Sequence, residues 1–128
     1  MSDIRKDCFY TKDHEWIKKT SAPKVVLMGI TDFAQSALGD VTYLQMPTAG
    51  KVIKQGETLG TVESVKAVSD IYAPVSGTIK KVNEALNSDP AALNTDPFGT
   101  GWLLEIEISN EAELSSLLSP DAYANVAQ

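Results

Sequence analysis

The sequence predicts a mainly β domain, a sandwich or barrel of short antiparallel strands. Three observations predict it. The apolar runs are short and rich in β-branched residues, Gly or Pro stands at most of their ends, and residues 102–108 alternate well. The chain has 128 residues. Domains run to roughly 100–200 residues, so this is one domain, long enough to bury a core without disulfide or metal staples.

Taken in order, residues 25–28 form a compact apolar run closed by Gly29. Residues 41–46 mix β-branched and aromatic side chains and stop at Pro47, with Gly50 completing a turn. Short strands follow at 51–53, 59–62, 69–73 (ended by Pro74) and 77–82. In the last strand Leu104, Ile106 and Ile108 share one face and Glu105 and Glu107 the other. Two helices are expected. Residues 31–38 begin with the capping residues Thr31 and Asp32, carry Gln35, and end at Gly39. Residues 110–118 begin with Asn110 and Glu113 at capping-box spacing, and Leu114, Leu117 and Leu118 fall on one helical face. Residues 86–101, rich in Asn, Asp, Pro and Gly, read as a long ordered loop, and the chain from Asn125 onward has little to hold it.

Eleven Lys and Arg against seventeen Asp and Glu give a net charge of −6. That balance argues against nucleic acid or an anionic membrane as partner. The single cysteine, Cys8, excludes an intramolecular disulfide framework and a multi-thiolate metal site; the single histidine, His14, excludes a zinc site of several imidazoles. Cys8 and His14 could pair as nucleophile and base, but their spacing fits no helix face or local signature, so no catalytic site is expected. No apolar run approaches the roughly 20 residues that span a bilayer. The first residues resemble neither a signal core nor a transit segment, so a cytoplasmic location is expected, or the mitochondrial matrix for a processed form.

A weak internal repeat matches residues 50–57 to 77–84, through Gly50/Gly77, Val52/Ile79, Lys54/Lys81 and Glu57/Glu84. Two related strand pairs joined by a central hairpin put the hairpin tip near Ala67, beside Lys66. A lysine at such a tip is exposed and mostly protonated, hence a poor catalytic base. It is a good attachment point.

The residues around it are more specific. Glu-Ser-Val-Lys-Ala (63–67), with Glu63 before Lys66 and Gly77 after it, resembles the lipoyl-attachment signature. The likeness extends in order through 10–16 (YTKDHEW), 29–35 (GITDFAQ), 38–40 (LGD), 62–66 (VESVK), 69–71 (SDI), 74–77 (PVSG), 82–84 (VNE), 96–98 (DPF) and 101–102 (GW), and the Leu-rich helix with Tyr123 also fits. This set resembles the H-protein family of the glycine cleavage system across nearly the whole chain.

The resemblance implies a lipoyl-domain-like barrel-sandwich hybrid over residues 1–128, with the lipoyl hairpin at about 60–77 and a C-terminal helical segment at 110–124. It implies lipoate in amide linkage on Lys66, with Glu63 and Gly77 as the positions that mark lipoylation. The implied role is a non-catalytic carrier. It takes the aminomethyl group of glycine from the pyridoxal-phosphate P protein to the T protein, and the flavoprotein L protein reoxidises it. The partners are these three proteins and a lipoate-attaching enzyme. The loaded arm carries a cationic amine and can lose formaldehyde in water, so a sheltering pocket is expected, with Glu15 first and Asp70 second as carboxylates and His14 beside them. The chain departs from the family pattern at Val68, often Ala or Thr, at Gln45-Met46, which replaces Glu-Leu, at Met28, where Val is common, and at Ala37, where some relatives have histidine. A lipoate relay to other enzymes is the alternative role. A biotinyl domain would have methionines flanking the lysine, where Val65 and Ala67 stand. A lipoyl domain of a 2-oxoacid dehydrogenase would be shorter and would usually carry Asp-Lys-Ala.

Overall fold

The computed structural model describes residues 3–127. Its strands are β1 (Cys8–Tyr10), β2 (Glu15–Lys19), β3 (Val25–Ile30), β4 (Val41–Gln45), β5 (Val52–Ile53), β6 (Thr58–Ser64), β7 (Val68–Tyr72), β8 (Gly77–Val82) and β9 (Leu104–Ile108). They form a six-stranded sheet, β1-β2-β3-β9-β8-β5, and a three-stranded sheet, β4-β6-β7. All pairings are antiparallel, as expected, and the sheets do not close into a barrel. The main core joins residues of both sheets, among them Ile17, Met28, Val62, Ile71, Ile79 and Ile106. The alternation in β9 holds: Leu104, Ile106 and Ile108 are buried.

The internal repeat has a structural counterpart. β5 and β8, one from each copy, lie side by side with Val52 opposite Thr78 and Ile53 opposite Gly77. Between them in sequence runs the β6–β7 hairpin.

The first helix, α1 (Asp32–Leu38), has the expected ends: Thr31 Oγ1 accepts the Ala34 N–H, and Gly39 closes the C-terminus at φ 80. The expected helix at 110–118 is different. Glu111–Ser116 is a 3₁₀ helix, and the α-helix lies beyond it, at α3 (Pro120–Val126). The capping box does not form because Glu113 is drawn elsewhere, accepting the Ser76 N–H at 2.6 Å and the Ser76 hydroxyl at 2.8 Å. Ser119 as N-cap and Pro120 in the first turn start α3 instead. The loop at 86–101 carries the end of a 3₁₀ turn (Glu84–Asn87) and a short helix, α2 (Ala92–Thr95).

β1 and β2 have no counterpart in the sequence reading: β1 is only three residues, all apolar or aromatic, and the burial of β2 does not alternate. Glu15, Trp16 and Ile17 are all buried. Trp16 joins Cys8, Tyr10 and Tyr123 in a second apolar cluster, where the Tyr10 and Tyr123 rings stack at 4.4 Å. The Trp16 indole donates to the Pro97 carbonyl at 3.0 Å and packs beside Phe98, which gives the Asp-Pro-Phe stretch a structural task. This cluster anchors α3 against β1, behind the groove described next.

Candidate functional site

The β6–β7 hairpin ends in Val65, Lys66 and Ala67, all exposed. Ser64 builds the turn. Its N–H donates to the Ala67 carbonyl at 2.8 Å, and its hydroxyl oxygen accepts the N–H of Ala67 at 3.1 Å and of Lys66 at 3.4 Å. The Val65 N–H donates to the Asp40 carbonyl at 3.1 Å, which moors the tip to the end of α1. Asn94 fixes that end from below, donating to the Gly39 carbonyl at 2.8 Å and accepting the Val41 N–H at 2.9 Å. The Lys66 side chain crosses Gly39: a Cβ there would lie 3.3 Å from Lys66 Cε, and the positive φ already favours glycine.

A groove of about 330 Å³ starts beside this tip. One wall is α1, with Phe33, Ala34, Ala37 and Leu38; the other is β7, with Val68, Ser69 and Asp70. Its other end holds Asp13, His14 and Glu15. α1 spans the distance between them, from Gly39 under Lys66 to Thr31, whose N–H donates to the His14 carbonyl at 3.0 Å. At about 1.5 Å per residue that helix is roughly 10 Å long. Ala37 lines the groove without adding a polar group.

Glu15 is 2% exposed. Oε1 accepts the Thr11 hydroxyl at 2.7 Å and Oε2 accepts the Tyr72 N–H at 3.2 Å. These bonds favour the carboxylate, but burial outweighs them and pushes the pKa up from 4.5 to about 7. Asp70 differs: it is exposed, and among the described residues its carboxylate has no partner. The turn at 11–15 that presents Glu15 is tight, with His14 in the left-handed region at φ 68. The His14 ring stacks on Phe33 at 4.5 Å, and Nδ1 lies 2.8 Å from the Tyr123 hydroxyl. Burial lowers its pKa from 6.5.

Four candidate residues, Lys66, Glu15, His14 and Asp70, thus stand at or along one groove. Glu63 and Gly77 stand outside it. Glu63 is half-buried on β6, directly opposite Tyr43 and Val68 on the neighbouring strands, so the three share one sheet face. Tyr43 is 55% and Val68 66% exposed. Gly77 lies in the other sheet, where an added Cβ would be 2.0 Å from the Glu107 carbonyl oxygen. Cys8 is buried in the cluster beneath α3. Burial pushes its thiol up to about 12, the opposite of what a nucleophile needs.

Thr11, Ser64, Asn94 and the Tyr72 N–H had no signal in the sequence beyond being small polar or backbone groups near turns. Thr31 was legible only as a cap and Tyr123 only as part of the likeness.

The model of the glycine cleavage H-protein family matches residues 8–128. The chain belongs to the glycine cleavage H-protein family. It is 51% identical over 127 residues to the glycine cleavage system H protein of Mycobacterium avium, covering 96% of each chain. It is 48% identical over 128 residues to that of Carboxydothermus hydrogenoformans, covering 100% of this chain and 97% of the relative. The crystal structure of a glycine cleavage system H protein from Mycobacterium marinum superposes with a TM-score of 0.85 at 43% identity, covering 95% of this chain and 97% of that one. The mainly β fold, the lipoyl character and the link to glycine cleavage therefore hold for this H-protein family member. Among the described residues, no helix is long and apolar enough to cross a membrane.

Proposed function

We propose that this chain carries a lipoyl group in amide linkage on Lys66 and works as the non-catalytic carrier of the glycine cleavage system. In this reading it passes the aminomethyl group of glycine from the P protein to the T protein and returns to its starting state through the L protein. One observation carries the reading: the groove begins at Ala67, next to an exposed lysine on a hairpin tip, and ends at a buried carboxylate.

The residues suit such an arm. Ile30, Phe33, Ala34, Ala37, Leu38 and Val62 offer apolar walls to an acyl chain, and Asp13, Glu15 and Asp70 offer negative charge to an amine. When bound, lipoate supplies a disulfide that is reduced as it takes up the aminomethyl unit and is reoxidised after release. Everything else falls to the chain. Lys66 tethers the arm, so partners meet it at high effective concentration. Ser64 shapes the tip and Asp40 moors it at the end of α1. Glu63, on the open face below the tip, is the residue we assign to recognition by the lipoate-attaching enzyme. Gly77 supports attachment through the sheet on which the hairpin rests. The groove walls exclude water, and Glu15 pairs with the cationic amine, with Asp70 as a second carboxylate nearer the mouth.

Protein from lipoate-supplied cells should gain the mass of one lipoyl group, mapped to the peptide holding Lys66. Adding P protein and glycine should then charge that arm. A bare Lys66 in a host competent for lipoylation would overturn the proposal. A lipoylated Lys66 that is never charged would point to the relay role instead.

A further inference from the structure

Tyr123 comes from the last helix yet reaches His14 at the end of the groove. Its hydroxyl lies between His14 Nδ1 (2.8 Å) and Thr31 Oγ1 (2.6 Å). The direction of these bonds follows from what each group can satisfy. Thr31 is fully buried, and its Oγ1 already accepts the Ala34 N–H at 3.2 Å. Among the described residues, the hydrogen of Thr31 has one acceptor in reach, the Tyr123 oxygen. Tyr123, accepting there, turns its own hydrogen to His14 Nδ1. The proton of the neutral imidazole is then on Nε2. That atom bonds no described residue and is not counted among the buried unpartnered atoms, so it keeps access to solvent.

Adding a second proton to the ring would reverse the chain. Nδ1–H would donate to Tyr123, Tyr123 would donate to Thr31, and the Thr31 hydrogen would lose its acceptor in a fully buried place. An unmatched buried donor is costly, so the relay opposes the imidazolium. The surrounding charges push the other way. Asp13, Glu15 and Asp70 line the same groove, and Asp32 stands at the start of α1 near Tyr123. Left to that field, His14 would tend to hold a positive charge.

We propose that Tyr123 is a positioning residue that acts through His14: with Thr31 it holds the imidazole neutral, so Glu15 has no built-in cation beside it and its charge is kept for a cationic amine in the groove. This rests on the groove receiving the charged arm. A protonated His14 would be a competitor of the same sign as the cargo; a neutral one leaves the carboxylates unopposed. α3 thereby sets the charge of a groove it does not line.

His14 is the only histidine in the chain, so ring ¹⁵N labelling reports on it alone. The unmodified protein should show the Nε2–H tautomer and titrate below the ordinary histidine range. Tyr123→Phe keeps the stacked ring and removes the hydroxyl. It should mix the tautomers and raise the titration midpoint by about one pH unit. Thr31→Ser keeps both hydroxyl and cap and should retain the parent spectrum. An Nδ1–H tautomer in the parent overturns the proposal without any variant, as does an unchanged midpoint in folded Tyr123→Phe. With lipoylated protein, Tyr123→Phe should shorten the lifetime of the charged arm severalfold near pH 6.5 and match the parent at pH 8; equal lifetimes at the lower pH would break the link to cargo. If Lys66 proves never to be lipoylated, the carrier reading fails while the tautomer result stands by itself.

Discussion

In the proposed carrier the hairpin tip and the groove's far end serve one arm, but they are built by opposite means. The tip is exposed, shaped by a few hydrogen bonds to Ser64 and Asp40, and touches the body mainly across Gly39. The far end buries a carboxyl almost completely and holds it by Thr11 and Tyr72. Attachment requires a side chain that an enzyme can reach and that costs the fold nothing. Recognition of a charge requires a partner shielded from water, and that shielding costs stability before any ligand arrives. Chemistry and stability should therefore separate at the tip and be coupled at the far end.

The largest effect tests the first half of that contrast. Lys66→Arg should abolish lipoylation completely, because a guanidinium cannot form the amide, while circular dichroism and melting stay as in the parent. An unfolded variant would show that the tip does support the fold. Gly77→Ala sets the opposite limit, at a site far from the groove. Its Cβ would meet the Glu107 carbonyl oxygen, so β8 and β9 must part. A loss of about 3 kcal/mol is expected from such overpacking, read by urea unfolding. Lipoylation should fall in proportion to the unfolded fraction.

Glu15→Gln comes next and couples both properties. The folded carboxyl titrates at about 7, above its ordinary 4.5, so the folded state holds the extra proton between those values. The stability from this group is full below pH 4.5 and is lost as pH rises through 7, on the order of 3 kcal/mol. Glutamine removes the charge, so the variant should gain about 2 kcal/mol over the parent at pH 8. At pH 4.5 the two should nearly agree. Its charged arm should decay severalfold faster, with attachment to Lys66 unchanged. Parallel stability curves for the two proteins would mean that burial of Glu15 carries no cost.

Much of this contrast was legible beforehand, and the parts that were not share a cause. The hairpin could be read because the repeat of 50–57 in 77–84 centres its tip near Ala67 and Pro74 ends the strand that follows, and α1 because Thr31 and Gly39 mark its ends. The C-terminal helix was misplaced because Glu113, set for a capping box, is taken by Ser76, in the turn just before β8. β2 escaped notice because the buried Glu15 breaks its alternation, and that irregularity belongs to the site itself; β1 is three residues with no polar member to mark a face. The His14–Tyr123 contact spans the chain from one end to the other, and no local pattern encodes it.

The smallest change tests how little holds the tip. Ser64→Ala removes the hydroxyl that accepts the Lys66 and Ala67 N–H groups but leaves the backbone bond from Ser64 N–H to the Ala67 carbonyl. The freed N–H groups are exposed and find water, so global stability should change by less than about 1 kcal/mol. The local turn should loosen, with faster amide exchange at Lys66 and Ala67 and a lipoylation rate lowered by a factor of a few. A rate equal to the parent's would mean that the attaching enzyme shapes the loop itself, and that the tip need only be exposed. A loss as complete as that of Lys66→Arg would mean that the turn geometry, more than the amine, is what the enzyme reads.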